Sequence, residues 1–200
     1  MSKKDLIFSL LMGLLAGFIG SSIFKYLGTS NIYGVPTGSL VWILPIIYSF
    51  GTWLSYFLGR WAPVFRQFGK FAVVGITNFS VDIGILNFLL ALSNTTGGVS
   101  YGGYKAISVA IATVCSYIFN KYWSFDAGNT HGGAVEFSKF VTIAVIGLLI
   151  NVLSSSFVVN FIHPIANLDP KTWANAGAII GSLTALIFSF FGYKLLVFKK

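Results

Sequence analysis

Apolar residues in this chain do not alternate with polar ones over short segments; they run together. Six near-continuous apolar stretches stand out, over residues 5–23, 40–58, 71–92, 104–122, 140–162 and 173–197. Each approaches or exceeds the roughly 20 residues of helix needed to cross a hydrocarbon core. The short alternating segments of a membrane β-barrel are not seen. The pattern therefore predicts an all-α integral membrane protein, a six-helix bundle. Turn residues collect between the runs. Gly28-Thr29-Ser30-Asn31 and Gly34-Val35-Pro36-Thr37-Gly38 separate the first two, residues 94–103 are rich in Gly, Ser and Thr, and His163-Pro164 opens the last connection. Residues 126–136 are polar and Gly-rich and read as the longest loop. The first run follows Met-Ser-Lys-Lys but outlasts the 7–15 residues of a signal-peptide core, and no Ala-x-Ala site follows it. It reads as a retained anchor.

Composition sharpens the class. Hydrophobic residues make up 56% of the chain and charged residues 9%, against about a quarter charged in soluble domains. The net charge of +8 raises the question of nucleic acid. The basic residues sit between apolar runs rather than along one face, so no nucleic-acid partner is expected. Their distribution instead gives an orientation. Lys3, Lys4, Arg60, Arg66, Lys70, Lys121, Lys139, Lys194, Lys199 and Lys200 flank one end of the runs, and only Lys25, Lys105 and Lys171 the other. The positive-inside rule puts the first group, with both termini, in the cytoplasm of a multi-pass, bacterial-type cytoplasmic (inner) membrane protein. Residues 59–68 mix Arg with Trp and Phe and are expected in the headgroup region. Asn94-Thr95-Thr96 matches a glycosylation sequon, which carries little weight in a bacterial-type protein.

The last four runs read as two copies of one helix pair, over residues 66–125 and 135–198. Phe68-Gly69-Lys70-Phe71 is echoed by Phe137-Ser138-Lys139-Phe140, an offset of 69 (137 − 68) that sets Asp82 on Asn151. At the far ends Lys121 and Phe125 match Lys194 and Phe198, an offset of 73 (194 − 121), and Ser108, Ala112 and Ser116 match Gly181, Ala185 and Ser189. Each copy has two spans, so the repeat is parallel rather than inverted. Residues 1–60 show no match to it and form an accessory transmembrane hairpin, leaving 61–200 as a four-helix domain. The small-residue triplets, with Gly13, Gly17 and Ser21 in the first run, make narrow stripes suited to close helix packing in lipid.

Polar groups inside the runs are the candidate chemistry. Asp82 lies about halfway along its span, where a carboxylate costs roughly 2.5–3.5 kcal/mol on insertion scales, so it needs a cavity or a partner. Asn78 is one turn earlier on the same face, and Asn151 occupies the position that matches Asp82 in the second copy. Asn78, Asp82 and Asn151 are candidates for a groove that binds a hydroxylated head group. A polar clasp between helices explains them equally well. Lys70, Lys121, Lys139 and Lys194 are paired by position across the copies and flanked by aromatic residues, as an anionic lipid phosphate would require. Positive-inside topology alone accounts for lysines there too. The five carboxylates fall at different depths, and His131 and His163 on opposite sides, so no catalytic set, metal site or cofactor is expected. Cys115 is the single cysteine and reads as a small packing residue.

Lys70-Phe71-Ala72-Val73-Val74-Gly75 leading to Asn78 and Asp82, followed by Ser116-Tyr117-Ile118-Phe119-Asn120-Lys121-Tyr122-Trp123-Ser124-Phe125, resembles the GtrA-like family. Phe137-Ser138-Lys139-Phe140 and residues 190–198 repeat the pattern, so the resemblance covers about residues 66–200. It implies flipping of polyprenyl-phosphate-linked monosaccharides for cell-surface polysaccharide synthesis, with membrane lipids as surroundings and no catalytic residues. A non-transporting scaffold for a membrane glycosyltransferase is the competing reading. A small-molecule exporter is a weaker third, because of the one-sided charge. Four core helices are few to enclose a pathway, so a homo-oligomer is expected.

Overall fold

The computed structural model describes residues 1–93, 98–129, 132–164 and 170–199. The sequon at 94–96, His131 and Asp169 lie outside the described residues, as does the side chain of Lys171. Six long helices carry the fold: α1 (Lys3–Tyr26), α2 (Leu40–Leu58), α3 (Val64–Ser93), α4 (Gly98–Phe119), α5 (Gly133–Phe161) and α6 (Pro170–Gly192). Among the described residues, α1, α2, α3, α5 and α6 are long and apolar enough to cross a membrane. The protein is thus an all-α integral membrane protein. α2 follows the apolar run to the residue, because Ser39 and Gly59 bracket it. α3, α4 and α5 begin six or seven residues ahead of their apolar stretches, since polar residues continue a helix readily once lipid no longer constrains it. One sequence expectation is corrected by this. α5 starts at Gly133, so Glu136 is buried in its first turn and not in a loop. A carboxylate is favoured there by the helix dipole.

The chain forms two compact units, Met1–Asp126 and Ala127–Lys200. In the first, α1 packs along α2, both meet α3, and α3 meets α4. The small-residue stripe explains the α1–α2 fit. A methyl group added to Gly17 would lie 2.8 Å from Val41 Cα, and one on Gly13 would lie 2.7 Å from Pro45 N. Only glycine lets these backbones approach so closely in lipid, where packing rather than water expulsion drives association. Between them the chain turns through a miniature antiparallel hairpin, β1 (Asn31–Ile32) and β2 (Val35–Pro36). Tyr33 and Gly34 at its tip both have positive φ (48° and 83°), the geometry of a two-residue turn that matches strand twist. The unit's core is Met12, Ala16, Tyr48, Val73, Val74 and Trp123.

The second unit is the α5–α6 pair. Gly147 faces Ser189, and Gly181 faces the backbone of Asn151 and Ser155, again leaving no room for larger side chains. Both units end alike. α4 and α6 each relax into a five-residue π-helical turn, at Asn120–Ser124 and Tyr193–Val197. Phe125 N donates to Asn120 O at 2.9 Å and Phe198 N to Tyr193 O at 2.8 Å. Phe125 then meets Phe71 with ring centroids 6.0 Å apart at 52°, and Phe198 meets Phe140 at 6.1 Å and 51°. Lys121 and Lys194 sit in these turns, at the offset of 73 read from the sequence.

Candidate functional site

Two polar centres stand in the first unit, one at the N-terminal end of α1 and one along α3. The first is built on Asp5, which is 3% exposed. Ser2-x-x-Asp5 forms a capping box: Asp5 N donates to Ser2 Oγ at 3.1 Å, and Ser2 N donates back to the carboxylate at 3.3 Å. That fixes the carboxylate where four elements converge. Lys70 Nζ of α3 pairs with Oδ1 at 2.6 Å, and Trp123 Nε1 of the π turn donates to the same oxygen at 3.1 Å. Tyr56 of α2 donates to Oδ2 at 2.6 Å, and Ser2 Oγ donates to it at 2.5 Å. Lys70 also stands over the rings of Tyr56 (5.8 Å) and Trp123 (6.0 Å). A buried carboxylate needs this density of donors to offset its lost hydration. Just above it, Ser9 and Thr52 share a buried hydrogen bond of 2.7 Å that ties α1 to α2. Sequence reasoning missed Asp5 as a centre; its signal was the capping box ahead of an apolar run.

The second centre is Asp82. Lys105 Nζ meets its Oδ2 at 2.5 Å and Ser108 Oγ donates to Oδ1 at 2.7 Å, both partners coming from α4. The side chains are 39% (Lys105) and 20% (Asp82) exposed, so this pair is open to its surroundings in a way that Asp5 is not. In the second unit Asn151, the counterpart of Asp82, donates to Ser182 Oγ of α6 at 3.3 Å. Each helix pair is therefore latched by a polar residue at the same point of its first helix. Asn78 does not join Asp82. Its Oδ1 is buried and lacks a hydrogen-bond partner among the described residues.

The four lysines singled out by position differ in surroundings. Lys70 is held by Asp5. Lys121 is buried, with Nζ 3.4 Å from the Tyr117 hydroxyl. Lys194 lies over Phe190 at 5.7 Å, and Lys139 is exposed on α5. Under the offset of 73, Trp123 falls on Leu196, which is exposed. The Asp5 centre thus belongs to the first copy alone.

A family model described as GtrA/DPMS, transmembrane domain, matches residues 70–199. The chain belongs to this family. The match begins at Lys70 itself, so α1, α2 and the first turns of α3 lie outside the GtrA/DPMS domain. From outside the family domain, Asp5 consequently binds two residues within it, Lys70 and Trp123, and the Tyr56 ring packs against Lys70. Comparison with curated proteins and with solved structures gave no match.

Proposed function

We propose that this GtrA-family membrane protein moves polyprenyl-phosphate-linked monosaccharides across the cytoplasmic membrane, for cell-surface polysaccharide synthesis or glycan modification. The observation that carries the proposal is the Asp82–Lys105–Ser108 cluster, a partly exposed set of charged and hydroxyl groups along a membrane helix pair. A sugar head group crossing lipid must exchange its hydrogen bonds with water for others. A carboxylate whose partners can rearrange offers acceptors to sugar hydroxyls, whereas the enclosed Asp5 does not. Exposed Lys139 and half-buried Lys194 are the lysines best placed to meet the lipid phosphate. The lipid tail stays in the bilayer throughout, so no bond is made or broken and no nucleophile is required. The transporting form is proposed to be a homo-oligomer.

The experiment is reconstitution. Purified protein in liposomes is expected to speed exchange of a polyprenyl-phosphate sugar between leaflets, and Asp82→Ala to slow it at unchanged insertion. An unaltered rate with a verified natural substrate rejects the reading. One observation favours the second reading, a scaffold for a membrane glycosyltransferase. Phe50, Trp53 and Phe57 on α2 and Trp61 in the turn after it form a ladder of ring contacts 5.5–6.0 Å apart. All four are exposed, offering a rigid aromatic strip to another helix. Co-purification with a glycosyltransferase that is lost on Trp53→Ala, without flipping by the protein alone, would favour that reading.

A further inference from the structure

The end of α1 remote from Asp5 carries a cation that neither centre uses. Lys25 lies in the last turn of α1, exposed, and forms no ion pair among the described residues. Positive-inside topology does not call for it, because it stands on the end with three of the thirteen basic residues. One of those three, Lys105, is taken by Asp82.

Lys25 borders a pocket of about 570 Å³ between the end of α1 and the connection into α2, with Ser22, Ser30 and Thr37 on its walls. The walls are held by the protein's own hydrogen bonds. Ser21 Oγ donates to Thr37 O at 2.8 Å, and Thr37 Oγ1 lies 3.2 Å from the carbonyls of Thr29 and Ser30. Lys25 and Ser22 remain as donors. A second cavity, about 620 Å³, runs between α1, α3 and α4 and is lined by apolar side chains such as Leu15, Ile19, Ile85, Phe88 and Ile111. Phe18 and Ser22 line both, so the polar pocket opens onto the apolar groove. No acidic side chain lines either space. Both volumes fall in the range of roughly 300–1,000 Å³ typical of small-molecule sites.

We propose that this composite cavity holds a phosphate-headed lipid, with the phosphate at Lys25 and Ser22 and the hydrocarbon chain in the groove between α1, α3 and α4. The match is one of chemistry at both ends: an unpaired ammonium beside a hydroxyl for the phosphate, and an apolar trough for the chain. The site is distinct from Asp82 and Lys139, its headgroup pocket lies outside the family-matched residues, and it does not depend on transport.

The test uses the full chain, delipidated in micelles and titrated under native mass spectrometry with three probes. Hexadecyl phosphate has both parts of the ligand, hexadecanol only the chain, and inorganic phosphate only the head. Hexadecyl phosphate is expected to bind one per chain, at least tenfold tighter than hexadecanol, with inorganic phosphate unbound at the same concentrations. Lys25→Gln, at an exposed position that leaves the fold intact, is expected to erase the tenfold preference while hexadecanol binding is unchanged. Ala91→Trp, which fills the groove from α3, is expected to weaken both amphiphiles. Equal binding of hexadecyl phosphate and hexadecanol overturns the proposal. So does a preference that survives Lys25→Gln, amphiphile binding that survives Ala91→Trp, or phosphate alone binding as well as its alkyl ester.

Discussion

The two carboxylates of the first unit show how surroundings decide what an acidic residue does. Asp5 accepts from Lys70, Trp123, Tyr56 and Ser2 and is enclosed. Removing it strands the Lys70 ammonium, whose side chain is only 15% exposed, among aromatic rings. Breaking one side of a buried pair costs ~3 kcal/mol or more, whereas replacing both partners by apolar groups is often close to neutral. Asp5→Ala is therefore expected to lower the thermal unfolding midpoint in micelles sharply, and Asp5→Leu with Lys70→Met to recover much of the loss. A double variant as unstable as the single one would refute the pairing argument. Asp82→Asn is the contrast. Its partner Lys105 is more open and has a long stem that can reach polar surroundings, so the expected cost is ~1 kcal/mol or less. A transport defect in Asp82→Asn could then be read as function rather than unfolding, which the same melting curves would verify. Asp82 was legible in the sequence because a lone carboxylate inside an apolar run has few innocent explanations. Its partners were not, since Lys105 and Ser108 lie more than twenty residues away and meet it only through helix packing. Asp5 was obscured by its position at the start of a run, where an acidic residue looks like an ordinary helix cap.

At the scale of elements, the repeat is seen most clearly where the helices end. Phe125 and Phe198 are each 3% exposed, each follow a π turn, and each meet a phenylalanine of the preceding helix in nearly the same geometry. Truncating a buried phenylalanine typically costs 3–5 kcal/mol. Phe125→Ala and Phe198→Ala are thus expected to destabilise by about 3 kcal/mol each, measured by denaturant unfolding, if the two turns are structural equivalents. A large effect at one and none at the other would break the equivalence. The apolar runs were legible as spans because lipid admits only helices of the right length, and length can be counted. The π turns were not, because one extra residue in a helical turn leaves no mark on hydrophobic periodicity. The change of offset from 69 at the first helices to 73 at the second does not report them, because it is already complete at Ser108 and Gly181, ahead of both turns. Gly13 and Gly17 illustrate the same limit. Their spacing announced close packing, but the partner, α2 around Leu40–Pro45, became known only from the fold.

At the scale of the whole molecule, the family domain is entered at Lys70 by a chain that has already built a helical hairpin, and the hairpin grips the domain through Asp5. That arrangement constrains orientation. Lys3, Lys4, Arg60, Arg66, Lys70 and Lys121 all lie at or near the Asp5 end of the first unit's helices, whereas Lys25 lies at the other end of α1, 20 residues from Asp5. Twenty residues of helix span about 30 Å, the thickness of a hydrocarbon core, so the two ends of α1 face opposite sides of a membrane. The basic end is predicted to be cytoplasmic, because lysine and arginine in short connections resist translocation. Counting α4 as a sixth crossing predicts that the C-terminus returns to the side of the N-terminus. Fusions should report this directly. Alkaline phosphatase joined after Phe198 is expected to be inactive and a green fluorescent protein at the same point bright, while phosphatase inserted after Tyr33 is expected to be active. Activity after Phe198 with none after Tyr33 would invert the orientation. Activity at both, or at neither, would mean an even number of crossings between them. Activity after Phe198, with or without activity after Tyr33, would remove Lys194 from the leaflet where a cytoplasmically made lipid-linked sugar could meet it, and the proposed transport with it.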